Sequence, residues 1–163
     1  MSVQPNQEKE QLRQVLSAVV TALRQGLGDN LVAVVLFGSR ARGDATEASD
    51  WDLLVIARHL PPSFFQRHLQ LKALLPIEWR GRVALLARTP AEFEAHLTSL
   101  MLDIALDGVV LDDPEGYAAE QLARLRKLIE SKGLHRKQKG KDFIWNWERF
   151  PGFDWSLEWE AVR

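Results

Sequence analysis

The 163-residue chain is long enough for one domain, and 46% hydrophobic residues give it the material for a buried core. A formal charge of −1 at pH 7, with 26% charged residues, supplies no overall pull toward nucleic acid or an anionic membrane, so any such affinity has to come from a local patch. The absence of cysteine excludes disulfides, thiolate metal sites and cysteine nucleophiles, no run reaches the roughly 18–20 apolar residues that span a bilayer, and the polar start (Gln4, Asn6, Gln7, Glu8) is unlike a signal peptide, so a cytoplasmic protein is the expectation.

From about Asn6 to Leu27, the residues Leu12, Val15, Leu16, Val19, Val20, Leu23 and Leu27 recur at three- and four-residue steps, which predicts one amphipathic helix ended by Gly26 or Gly28. Leu31 to Phe37 and Leu53 to Ile56 are continuous apolar runs and read as strands buried on both faces. The segment between them is small and polar, with room for a helical turn whose first amides would face an anion. Pro61-Pro62 stops the second strand, and Phe64, Phe65, His68, Leu69, Leu71 and Leu74 predict a helix up to Pro76.

A third strand is expected over Arg82 to Ala87. Thr89, Pro90 and Glu92 then form a capping box, predicting a helix that runs through Phe93, Leu97, Leu100, Met101 and Ile104 toward Gly108. Val109 to Leu111 reads as a short strand, and Tyr117 to Ser131 as a last helix ending at Gly133. On this helix and past its end, the basic residues Arg124, Arg126, Lys127, Lys132, Arg136, Lys137, Lys139 and Lys141 accumulate against one acid, Glu130, and are followed by Phe143, Trp145, Trp147, Phe150, Phe153, Trp155 and Trp159. Basic followed by aromatic suits nucleic acid, but Asp142, Glu148, Asp154, Glu158 and Glu160 would repel phosphates. The favoured reading is therefore a solvated basic helix face and turn, with aromatics anchoring the tail onto the domain or onto a second copy; Trp145 and Trp147 alternate with Ile144 and Asn146, as in an edge strand that buries two rings.

The chemistry is concentrated between residues 38 and 52. Gly38 ends an apolar strand and lets the backbone approach a ligand that any Cβ would block, and Ser39 offers its hydroxyl and amide to a phosphate. Asp50 and Asp52 open the next strand two residues apart, so both carboxylates fall on one face, with Trp51 on the other. Magnesium takes such oxygen ligands. Arg40 and Arg42 lie beside the expected phosphates, where they either meet phosphate charge or pair with Asp44 and Glu47. The bland alternative is a surface turn followed by a strand with one capping acid. No glycine-rich run ending in Lys-Ser or Lys-Thr is present, which argues against a P-loop, and His59, His68, His96 and His135 have no joint metal-ligand spacing.

Gly38-Ser39, ten residues, then Asp50-Trp51-Asp52 resembles the signature of the DNA polymerase β-like nucleotidyltransferases, and the short chain resembles their minimal members. The resemblance implies an α/β (α+β) fold: a small mixed β-sheet with helices mainly on one face, over residues 1–113, with a C-terminal helical and Trp-rich extension of the same domain over 114–163. It implies transfer of a nucleoside monophosphate, AMP from ATP, to a hydroxyl with release of pyrophosphate. Asp50 and Asp52 would hold two Mg2+ ions, with Gly38, Ser39, Arg40 and Arg42 binding the nucleotide. The acceptor stays open among a protein tyrosine or serine, a small alcohol and an RNA end. Transferases of the family carry a third acid on the neighbouring strand, yet Val83, Ala84 and Leu85 are apolar here and the nearest upstream acid is Glu78. That departure leaves a second reading, a partner protein such as the antitoxin of a helical HEPN-type toxin; a nucleic-acid binder is a third.

Overall fold

The computed structural model describes residues 4–148. Within them, seven helices and six strands follow in the order α1 (Pro5–Val15), α2 (Ser17–Leu27), β1 (Leu31–Phe37), α3 (Ser39–Arg42), β2 (Trp51–Ala57), α4 (Phe64–Leu74), β3 (Val83–Arg88), α5 (Pro90–Ala95), α6 (Ser99–Asp107), β4 (Val109–Asp112), α7 (Tyr117–Ser131), β5 (Leu134–Lys139) and β6 (Asp142–Trp147). The main sheet has the order β3-β2-β1-β4. β1 runs antiparallel to β2 and β4, while β2 and β3 are parallel. The fold is thus the expected mixed α/β class.

The two unbroken apolar runs occupy the centre of the sheet, where both faces need cover. Their side chains divide between two cores. Val34 and Leu36 of β1 with Leu53 and Val55 of β2 join Val19 and Leu23 of α2 and Leu71 of α4. Val35, Leu54 and Ile56 on the other face meet Phe93, Met101, Ile104, Leu122 and Leu125 of α5, α6 and α7. Helices therefore cover both faces, not mainly one: a two-sided apolar strand leaves its second face in water unless something packs there, and α5 to α7 do so.

Two predicted helices are each divided. The amino-terminal one bends at Leu16, whose backbone sits at φ −92°, ψ 5°, although Leu16 N–H still donates to Leu12 O and Val20 N–H to Leu16 O. Leu16 is fully buried while α1 buries nothing, so the bend lets α2 follow the core and leaves α1 tethered by Arg13 Nε to Val110 O at 3.1 Å. The helix opened by the Thr89 capping box stops at Ala95, His96 is extended, and Thr98 caps a new helix by accepting from Met101 N–H.

The basic stretch divides: Arg124, Arg126 and Lys127 lie on α7, with Arg126 and Lys127 exposed as expected of a solvated helix face, whereas the residues beyond Gly133 form a strand in place of the expected turn. Residues 134–147 form an antiparallel hairpin, β5 with β6, in which Lys139 faces Asp142 across the two-residue loop Gly140-Lys141. Phe143, Trp145 and Trp147 are half-buried along one side of β6, while Asp142, Ile144 and Asn146 are exposed. The expected edge strand with buried rings is present at Trp145 and Trp147. Phe150, Phe153, Trp155 and Trp159 lie outside the described residues.

Candidate functional site: a carboxylate pair against a glycine turn

At the end of β1 the chain leaves the sheet through Gly38, which holds φ +73°, ψ −159°, a left-handed region closed to most side chains. A Cβ there would collide with Asp52 Oδ2. The glycine is thus required twice, by its backbone angle and by the acid pressed against it. Asp52 pairs with Phe37 in the β1–β2 register and points to the same sheet face as Leu54 and Ile56, whereas Trp51 packs into the opposite core edge-to-face on Trp79.

Asp50 and Asp52 lie close enough to feel one another. Burial, then the charge of Asp50, push the Asp52 carboxyl above its ordinary range, and Arg42 partly offsets them. The donor chemistry suits a divalent cation, because a hard ion with oxygen ligands relieves that repulsion and desolvation. Asp50 and Asp52 would be its protein ligands. Among the described residues no group of three or more acidic or histidine side chains is gathered. The register explains this: Ala84 of β3 lies beside Asp52, and Glu78 is exposed on a 3-10 turn, Ile77–Trp79, ahead of β3.

The short α3 follows Gly38 directly, its amides at Ala41 and Arg42 donating back to Gly38 O at 3.1 Å each. The first amides, at Ser39 and Arg40, precede any acceptor within the helix, the position at which helix starts meet anions. The two arginines separate. Arg40 donates to the carbonyls of Ser49 at 3.0 Å and Glu47 at 3.4 Å and lies 4.7 Å from the Trp51 ring centroid, so it braces the 43–50 loop on the far side. Arg42 is the one whose charge reaches Asp52. Its Nε donates to Asp44 at 3.2 Å, its Nη1 stands 3.9 Å from Asp107, and its guanidinium lies 4.8 Å from the Phe143 centroid.

Sequence reading did not bring three neighbours to this end of the sheet. Lys72 of α4 donates to the carbonyls of Arg80, at 2.6 Å, and Val83; burial lowers its ammonium below the ordinary range while the charge of Asp50 opposes that. Asp107 and Phe143 reach it through Arg42. Each belongs to a distant element, so no local spacing could have flagged it.

A carboxylate pair at a strand end, abutting a glycine turn that opens a helix, sets oxygen ligands suited to a divalent cation beside backbone amides suited to an anion. The comparisons agree: residues 16–150 match the nucleotidyltransferase domain family, and the chain belongs to it. A Methanocaldococcus jannaschii protein assigned as a protein adenylyltransferase is 41% identical over 68 residues, 42% of this chain and 46% of that protein; the match thus spans less than half the length of this curated relative. Among solved structures, a toxin–antitoxin complex with AMP-PNP has a chain that aligns with a TM-score of 0.50 at 19% identity, covering 71% of this chain and 90% of that one. A Sulfolobus solfataricus protein described as a nucleotidyltransferase aligns with a TM-score of 0.48 at 21% identity, covering 71% and 92%.

Proposed function

We propose that the chain transfers AMP from ATP to a hydroxyl acceptor and releases pyrophosphate. The observation that carries this reading is the contact of Asp52 with Gly38, with Asp50 alongside, which brings carboxylates and a phosphate-accepting turn to one spot. The acceptor oxygen bonds to the α-phosphorus, the bond from that phosphorus to the oxygen bridging to the β-phosphate breaks, and the hydroxyl proton passes to solvent. Ser39 and the amides at the start of α3 hold the phosphates, and Arg42 offsets charge on the leaving pyrophosphate. Arg40 keeps the loop in shape. Asp50 and Asp52 would hold Mg2+, which when bound would supply the positive charge that lowers the pKa of an attacking hydroxyl. A cytoplasmic setting, where ATP and Mg2+ are abundant, fits this reading, and no helix among the described residues is long and apolar enough to cross a membrane.

The test is incubation with ATP labelled at the α-phosphate, Mg2+ and cell extract. Label should pass to an acceptor with the unaltered chain and not with Asp50→Ala or Asp52→Ala; transfer undiminished in both variants overturns the proposal.

One observation favours a second reading, a partner protein such as the antitoxin of a helical HEPN-type toxin: Ala84 occupies the place beside Asp52 where a third acid would stand. The similarly folded toxin–antitoxin chain lends this reading support. ATP binding without transfer, together with a stable complex with a co-expressed helical partner, would select it.

A further inference from the structure

We propose that Phe143 and Arg136 position Arg42, Phe143 by carrying its guanidinium and Arg136 by occupying the competing carboxylate of Asp107, which makes the β5–β6 hairpin part of the nucleotide site. The inference rests on the reading of Gly38, Ser39 and the acid pair as a triphosphate site, and adds what holds the cation beside it.

Arg42 sits on the four-residue α3, too short to fix a long side chain by its own packing. Besides the local pair with Asp44, what fixes it comes from elsewhere in the chain. The Phe143 ring lies under two guanidinium groups, Arg42 at 4.8 Å and Arg136 at 4.1 Å from its centroid. Arg136 also takes Asp107 with both arms, at 2.5 and 2.8 Å, and Asp103 at 3.2 Å. Trp145 Nε1 donates to the same Asp103 oxygen at 3.0 Å, so β5 and β6 are both fastened to α6. These side chains are largely withdrawn from water: Arg42 is 21% exposed, Asp107 13% and Arg136 14%.

The consequence is an ordered competition for one carboxylate. Arg136 occupies Asp107 with a two-armed, charge-assisted pair, which leaves Arg42 only the 3.9 Å approach. Without Arg136, Asp107 would close on Arg42 and hold it as a rival to any phosphate. With it, Arg42 rests on a ring that attracts a cation yet presents no full negative charge. Its remaining ties, to Asp44 and at long range to Asp107, are weak enough to exchange for phosphate oxygens. Phe143 and Arg136 thus act through Arg42 and are positioning residues.

The test is a set of calorimetric titrations of the full chain with ATP and with AMP, which lacks the β- and γ-phosphates. Arg42→Ala should weaken ATP roughly tenfold, the loss of one charge-assisted contact. Phe143→Leu should weaken ATP roughly threefold to fivefold, leave AMP unchanged, and have no further effect in the Arg42→Ala background. Phe143→Tyr keeps the ring and should keep the affinity. Arg136→Gln should weaken ATP, and adding Asp107→Asn should recover much of the loss by removing the rival carboxylate. Tryptophan fluorescence and thermal melting check that the hairpin stays docked in each variant. Equal losses from Phe143→Leu with and without Arg42, or equal losses for ATP and AMP, overturn the positioning role and leave the nucleotide site standing. An unaltered chain that binds no ATP overturns both.

Discussion

Gly38 and Asp52 constrain each other, and that mutual fit is open to a direct experiment. Gly38→Ala would force a Cβ into the Asp52 carboxylate at a left-handed backbone angle, so it should cost about 1–3 kcal/mol in urea unfolding and abolish ATP binding. Asp52 carries the opposite lesson. A carboxyl held above its ordinary range binds its proton more tightly in the folded chain than in the unfolded one, so stability falls as pH rises through the carboxylate range, and the folded protein bears that cost at pH 7. Asp52→Asn should therefore melt at a higher temperature than the unaltered chain at pH 7. The gap should close on acidification, while ATP affinity in Mg2+ falls at least about tenfold. Scanning calorimetry at neutral and acid pH checks the first part and calorimetric titration the second. These residues were legible in sequence because their spacing is local. The split between Arg40 and Arg42 was not, since it depends on which side of the sheet each guanidinium falls and on the rings of Trp51 and Phe143 waiting there.

At the level of elements, local chemistry foretold where helices begin better than where they end. The Thr89 box was readable from three residues, but apolar spacing carried the predicted helix through the extended His96. The Thr98 cap that restarts it has the same chemistry and was masked by that periodicity. Thr98→Ala should cost about 1 kcal/mol of unfolding free energy. Glu92 has a larger task than its capping role, for it also pairs with both arms of Arg67, at 2.7 and 2.8 Å, tying α4 to α5. Arg67 is buried; it also donates to the carbonyls of Pro61 and Ala87 and lies 4.9 Å from the Phe64 ring centroid. The Arg67 hydrogen bonds hold the Glu92 carboxyl at about 2, so this tie is fully present above about pH 4.5 and is lost as pH falls toward 2. Glu92→Gln should destabilise at pH 7 by about 2 kcal/mol, below the usual cost of breaking a buried pair because the carboxylate is partly solvated. Urea unfolding at pH 7 and pH 2.5 should show the difference between variant and unaltered chain shrinking at the lower pH. The hairpin was the element least legible, because Lys137, Gln138 and Lys139 carry no apolar alternation and only their partners on β6 reveal the strand.

For the whole molecule, the two central strands were legible as apolar runs, but runs of that kind say only that both faces are covered, not by what. The distribution of α2 and α4 on one face and α5 to α7 on the other is set by chain connectivity. The same limit applies to charge. A net −1 says nothing about where cations collect, and the hairpin leaves His135, Lys137, Lys139 and Lys141 exposed while it spends Arg136, the cation best suited to a phosphate, on Asp103 and Asp107. Among the described residues of the hairpin, the rings of Phe143, Trp145 and Trp147 are half-buried. On the described hairpin this leaves His135 and three lysines beside Asp142 and Glu148, enough for weak contact with phosphates. A fluorescent single-stranded RNA followed by anisotropy should therefore bind weakly at about 50 mM salt and lose its affinity by about 200 mM, in the manner of a few displaced counterions. Substituting Lys137 and Lys139 with glutamine should abolish the low-salt signal and leave ATP binding intact. Affinity that persists at the higher salt, or that survives both substitutions, would restore nucleic acid as a partner of this chain.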